Sequence, residues 1–292
     1  MGKIPETRIG YEIYPFPARE SLSLGHIRFA DSSTLEGAVM NVSSIKDRKS
    51  FFPRFGVPDL QFRAQEPELM DDFSGDTNRL YRTLRQFAVL NATISRSRKL
   101  FAQYILGDML RREMSACTVA EIGAGGGDFA LWISSACRKA GVRVTVLAVD
   151  YDPRIAAFAR AAVAGDSSVK VVESDWRDLD DNNAPIHYVY SNHFLHHLSD
   201  SDISEFLKRT WSLATHGILI NDLHRSASAY IGWTILSSLL FRRSYTFSDG
   251  RTSIRKAFTL PEMTALIEQG GLANDLQIHR MPPSRLVVSG TK

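Results

Sequence analysis

From Thr118 onward, short apolar runs alternate with stretches in which apolar residues recur at helical spacing. Seven runs read as strands: TVAEIG at 118–123, VRVTVLAVD at 142–150, VKVVES at 169–174, IHYVYSN at 186–192, HGILIND at 216–222, DLQIHRM at 275–281 and RLVVSG at 285–290. Helical patterns fill most of the gaps, at 128–140, 153–164, 201–214 and in TLPEMTALIEQGG. Such alternation predicts an α/β fold, a doubly wound, mostly parallel sheet covered on both faces. Only PPS separates the last two strands, too little for a crossover helix, so they are expected to pair as an antiparallel hairpin.

The first part of the chain follows a different pattern. Residues 1–65 are rich in Pro, Ser and Phe and show no firm period. Within 76–113, Leu80, Leu84, Phe87, Leu90 and Ile94 keep helical spacing, with Asp76 as a cap. This predicts two helices, either lids over the carboxyl edge of the sheet or helices that complete the core. The expected division is an extension over 1–114 and a sheet domain over 115–292, with a lid insertion at 223–258 that is long for a connection in a compact domain. The insertion begins with the apolar YIGWTILSSLLF and continues with Arg242, Arg243, Arg251, Arg255 and Lys256. It reads either as an apolar wall rimmed by cations or as a core helix followed by a solvated basic loop.

Composition narrows the class. A chain of 292 residues with 44% hydrophobic and 23% charged residues is ordinary for a globular protein. A net charge of +3 falls short of a nucleic-acid binder, and no run approaches the length of a membrane span. The N-terminus lacks the apolar core of a secretory signal, and Glu6 does not suit a myristoylation motif, so the expectation is a cytoplasmic protein. Cys117 and Cys137 lack metal-ligand spacing and read as buried thiols.

The candidate chemistry begins at EIGAGGGDFA, 121–130, where a strand enters a glycine-rich turn and then a helix, a place that holds nucleotides. A dinucleotide fingerprint fits poorly: counted from Gly123, its third glycine position holds Asp128, and counted from Gly125 only a GxGxxA variant ending at Ala130 remains. Glu121, Gly123, Gly125 and Gly127 instead form E-x-G-x-G-x-G. Over residues 118–292 the chain resembles the class I S-adenosylmethionine (SAM) methyltransferases, with Glu where Asp is commoner. That resemblance implies SAM as cofactor and S-adenosylhomocysteine (SAH) as product. It implies that Glu121 helps hold the methionine ammonium, that Asp150 accepts both ribose hydroxyls with Tyr151 beside the adenine, and that Asp175 and Trp176 bind and wall the adenine. Asn192, at the end of the fourth strand, joins the cofactor residues. Asp152, before Pro153, is the better helix cap.

After the fourth strand comes SNHFLHHLSD, 191–200. Nucleic-acid amino methyltransferases carry prolines where Asn192 and His193 stand, which disfavours methylation of a base. LHHLSD is similar to the L-H-D-W-x-D segment of small-molecule O-methyltransferases, which would make His196 a general base; as a packing residue His196 is equally compatible with the fold. His197 and His224 are the alternative bases, and one of Asn221, Asp222, His224 and Arg225 is expected to orient the base or the acceptor. His193, His196 and His197 lack further ligands at metal spacing, so no metal is expected. PELMDD, expected as a helix pair, together with LHHLSD, NDLHRS and SIRKAFTLPEM resembles bacterial methyltransferases associated with phenolic and polyketide products. The implied reaction is O-methylation of an aromatic or polyketide-like small molecule. Its rivals are C- or N-methylation, a non-catalytic SAM-binding regulator and, on the GxGxxA reading, an oxidoreductase. The oligomeric state is left open.

Overall fold

The structure is a computed structural model that describes residues 56–180, 184–241 and 243–292; the sequence reading of 1–55 lies outside them. Residues 57–292 form one compact unit. Its helices and strands run α1 (Thr77–Thr93), α2 (Ser97–Phe101), a π-helical turn (Ala102–Leu106), α3 (Gly107–Arg111), β1 (Ala116–Ile122), α4 (Asp128–Lys139), β2 (Arg143–Asp150), α5 (Pro153–Val163), β3 (Val169–Glu173), β4 (Tyr188–Asn192), α6 (Asp200–Leu213), β5 (Gly217–Leu223), α7 (Ala227–Leu240), α8 (Thr246–Lys256), α9 (Leu260–Gln269), β6 (Gln277–Met281) and β7 (Arg285–Thr291).

All seven expected strands join one sheet, in the order β3-β2-β1-β4-β5-β7-β6. The first five are parallel; β7 runs antiparallel to both β5 and β6. Strand alternation feeds a core on each face. Ala120, Ile122, Val189, Ile218, Ile220, Leu286 and Val288 pack toward one cluster, and Val119, Tyr188, Tyr190, Leu219 and Val287 toward the other.

Helix starts follow cap chemistry. The Asp76 side chain accepts from the amides of Asn78 and Arg79, Asp152 accepts from Arg154 N ahead of Pro153, and Thr259 and Glu262 form a capping box. The 76–113 pattern resolves into α1 and a second helical run, α2 to α3, interrupted by the π turn. PELMDD is not a helix pair: only a single 3-10 turn forms, Leu69–Asp71, because the preceding chain is tied down by long-range bonds. Arg63 donates to the carbonyls of Lys256 (2.8 Å) and Leu198 (3.1 Å), Arg225 donates to Leu60 O (2.9 Å), and Ala64 N donates to Arg255 O (3.0 Å). The segment is a strap across the carboxyl edge of the sheet.

Candidate active site

The carboxyl ends of β1, β2 and β4 open into a cavity of about 560 Å³, roofed by α1 and walled by α7 and α8. Crevices at this edge are where open α/β sheets bind ligands. Glu121, Gly123, Gly125, Asp150, Tyr151, Asp175, Trp176, Asn192, His196 and His197 all line it.

Backbone geometry shapes the cofactor end. Gly123 has φ 71°, and a Cβ there would lie 2.6 Å from the Phe194 ring, so the turn requires glycine. Gly127, at φ 76°, faces Val163 as the cap of α4 and does not line the cavity; its part is to let the helix start against α5. The Asp150 carboxylate accepts from Gly125 N at 3.0 Å and from Asp152 N at 3.1 Å, which fixes its orientation. Burial raises its pKa to about 6 against these bonds. Glu121 is buried, and its Oε2 has no hydrogen-bond partner. Burial, followed by the charges of Asp128 and Asp150, pushes its carboxyl well above the usual range. An unsatisfied carboxylate oxygen with two further acids near it suits a bound cation, so the residues present fit the ammonium end of SAM.

Tyr151 is half exposed and meets Phe73 edge-on at 5.9 Å. Asp175 accepts from Arg177 N at 2.8 Å, and Trp176 is at once a core residue, edge-on to Phe206 at 5.2 Å, and a cavity wall. Asn192 sits in a buried polar net, donating to Asn91 Oδ1 and accepting from Asn221 and Arg285, each at 3.0 Å. Arg285 further bonds Asn221 Oδ1 at 2.9 Å and His193 at 2.8 Å, and burial lowers its pKa to about 10.

The floor holds the histidines. His196 is buried; its Nδ1 lies 2.7 Å from Asp222 Oδ1, and its amide donates to Asp222 Oδ2 at 3.2 Å. Burial alone would raise Asp222, but the facing His196 holds it below the ordinary carboxylate range. His197 Nδ1 lies 3.1 Å from Asp71 Oδ2. Burial alone would lower His197, yet Glu68 and Asp71 outweigh it and raise it to about 9. Glu68, carried by the strap, is buried beneath both rings.

Two sequence expectations are corrected. His224 does not reach the cavity: β5 ends at Leu223, and His224 turns into a bridge with Phe258, its amide donating to Ser284 O at 2.9 Å. Of its neighbours, Asp222 is the one that touches a cavity histidine, while Arg225 ties Leu60, Gln61, Ala257 and Glu262 together. Among the described cations of the insertion, Arg243, Arg251, Arg255 and Lys256 do not line the cavity. Arg242 lies outside the described residues; Arg251 bonds the Tyr230 hydroxyl, Arg255 pairs with Glu66 and Lys256 stands 3.8 Å from Glu68, because these cations satisfy the strap and the insertion itself. The apolar part of the insertion does wall the cavity, through Trp233 and Leu236, joined by Ile254 of α8.

Glu68, Asp71, Asn91 and Arg285 were missed as site residues. Glu68 and Asp71 had a signal in the acids of PELMDD; Asn91 and Arg285 had none, since only the register of β5 with β7 and the packing of α1 bring them in.

Residues 119–217 match the family described as a methyltransferase domain. The fold matches the plantazolicin methyltransferase BpumL in complex with SAH, at 14% identity and TM-score 0.54 over 74% of this chain and 95% of that one. It also matches human N-acetylserotonin methyltransferase in complex with SAM, at 14% identity and TM-score 0.51, over 74% of this chain and 56% of that one. No curated protein matches in sequence. The sheet order gives the class I, Rossmann-like fold, and the match over 119–217 makes that part of the chain a methyltransferase domain. Among the described residues no helix is long and apolar enough to cross a membrane.

Proposed function

We propose that the protein transfers the methyl of SAM to a hydroxyl of an aromatic or polyketide-like small molecule. The observation that carries this reading is the buried His196–Asp222 pair, set in the cavity floor between the cofactor acids and an apolar wall. When bound, SAM supplies an electrophilic methyl group and departs as SAH. Glu121 would take the ammonium, Asp150 the ribose hydroxyls, and Trp176 with Asp175 and Tyr151 the adenine. Trp233, Leu236 and Ile254 would seat an apolar acceptor, with α1 and the 223–258 insertion as lid. Asp222 holds His196 through Nδ1, which turns Nε2 toward the cavity, and the acceptor proton leaves toward the cluster of His196, His197 and Glu68. A phenol, with a pKa near 10, needs only modest help to ionise at neutral pH. Most of the acceleration then comes from holding oxygen, methyl carbon and sulfur in line.

The test is incubation with SAM and matched phenol, arylamine and carbon-nucleophile acceptors, with products fragmented by mass spectrometry. Methyl on oxygen is expected, and His196→Ala is expected to lower turnover by about 10²- to 10⁴-fold with SAM affinity unchanged. Methyl on nitrogen or carbon, or SAM binding without turnover across the panel, overturns the reading.

A further inference from the structure

The cavity floor turns two imidazole nitrogens and one carboxylate toward one another. Asp222 and Asp71 are acceptors, so each draws the Nδ1 proton of its histidine, at 2.7 Å for His196 and 3.1 Å for His197. In the neutral rings this leaves both Nε2 lone pairs bare. Those lone pairs point at one carboxylate: His196 Nε2 is 3.5 Å from Glu68 Oε1, and His197 Nε2 is 3.9 Å from Glu68 Oε2. One ligand atom from each of the three residues lies within 4.8 Å of the other two.

We infer that Glu68, His196 and His197 bind a divalent transition-metal ion of the zinc or ferrous type. Two imidazoles and one carboxylate are a donor set for such ions, with further coordination positions left open. Bonds of about 2.0–2.2 Å place tetrahedral ligand atoms about 3.4 Å apart, so the observed separations need only a modest contraction. The surroundings are those of a metal centre, since each ligating imidazole is already oriented by a carboxylate on its other nitrogen. Three carboxylates, Glu68, Asp71 and Asp222, surround the two imidazoles, and the ammonium of Lys256 lies 3.8 Å from Glu68 Oε1. Ser253 Oγ donates to Glu68 Oε1 at 2.9 Å and fixes the carboxylate.

All three ligands line the cavity, so the open positions face the acceptor. Resting on the O-methylation reading, the ion would bind the acceptor oxygen and lower its proton affinity, with His196 as a ligand and the acceptor proton passing to solvent in place of the cluster of His196, His197 and Glu68. The sequence reading missed the site because its third ligand comes from the strap, far from the histidines in the chain.

The experiment is titration of the chelator-treated full chain with Co2+ and Zn2+, followed by visible absorption and calorimetry in the absence of acceptor. One ion per chain is expected, with a cobalt ligand-field band. Asp71→Asn is expected to weaken binding about 10- to 100-fold, and Glu68→Gln and His197→Asn to abolish the band. Lys256→Met is expected to tighten binding by removing a like charge. SAM affinity of each variant reports that it is folded. Absence of binding by the wild type, or binding that survives loss of both Glu68 and His197, overturns the site. O-methylation at full rate in chelator defeats the metal role and leaves the methylation reading standing; ion binding without hydroxyl methylation does the reverse.

Discussion

Asp150 combines two demands that pull against each other. Two backbone amides hold its carboxylate, while burial raises its pKa to about 6 from 3.8. In the free protein this group therefore contributes stability below pH 3.8 that is lost as pH rises through about 6. Cofactor binding has the opposite sign, because the ionised carboxylate is the better acceptor for ribose hydroxyls. SAM affinity is accordingly expected to fall as pH drops below about 6, measured by calorimetry between pH 5 and 8. Asp150→Asn is expected to weaken SAM binding at neutral pH by about tenfold to a hundredfold and to flatten part of the pH slope. The remaining slope belongs to Glu121, shifted in the same direction. Wild-type affinity in a folded Asp150→Asn protein would place the ribose elsewhere.

Helix α7 does two jobs along its length. Trp233 and Leu236 wall the cavity, while Ile235, Leu239 and Leu240 are exposed. The inward face is set by α8, where Gly250 lets the indole lie flush: a Cβ at Gly250 would stand 2.2 Å from Trp233 Nε1. Gly250→Ala gains about 0.5–1 kcal/mol of helix propensity, but the overpacking it forces costs about 1–3 kcal/mol. The clash wins, and the indole must move within the cavity. A lower Tm and a raised acceptor KM with unchanged SAM affinity are the expected outcome, by thermal denaturation and steady-state kinetics; an unchanged KM would remove Trp233 from the acceptor wall. This wall was legible in sequence because YIGWTILSSLLF is apolar, whereas the arginines after it suggested a rim. Their partners, Glu66 and the Tyr230 hydroxyl, are contacts that no spacing rule reveals.

At the scale of the molecule, the sheet was readable and the strap was not, for one physical reason. Strands and helices bury periodic faces, so the runs at 118–123 or 142–150 announce themselves; the strap is held by side chains reaching backbone carbonyls, which leaves no period. The acids at the ends of β1 and β2 were legible because the glycine loop fixes their place, while Glu68 and Asp71 depend wholly on the strap. Arg63 is its main tie, with its guanidinium 4.2 Å over the Phe258 ring and bonds to Lys256 O and Leu198 O. Its ion pair with Asp200 involves a carboxylate exposed to solvent and contributes at most about 1 kcal/mol. Arg63→Ala is therefore expected to cost about 2 kcal/mol, a fall in Tm of about 4–8 °C, and to lower turnover by freeing Glu68 and Asp71 from the histidines. SAM affinity, set at the β1 and β2 ends, is expected to stay at the wild-type value. Asp200→Ala is the control, because it removes the surface pair and leaves the buried ties in place. Equal losses in the two variants, or full turnover in Arg63→Ala, would show that the strap does not position the site.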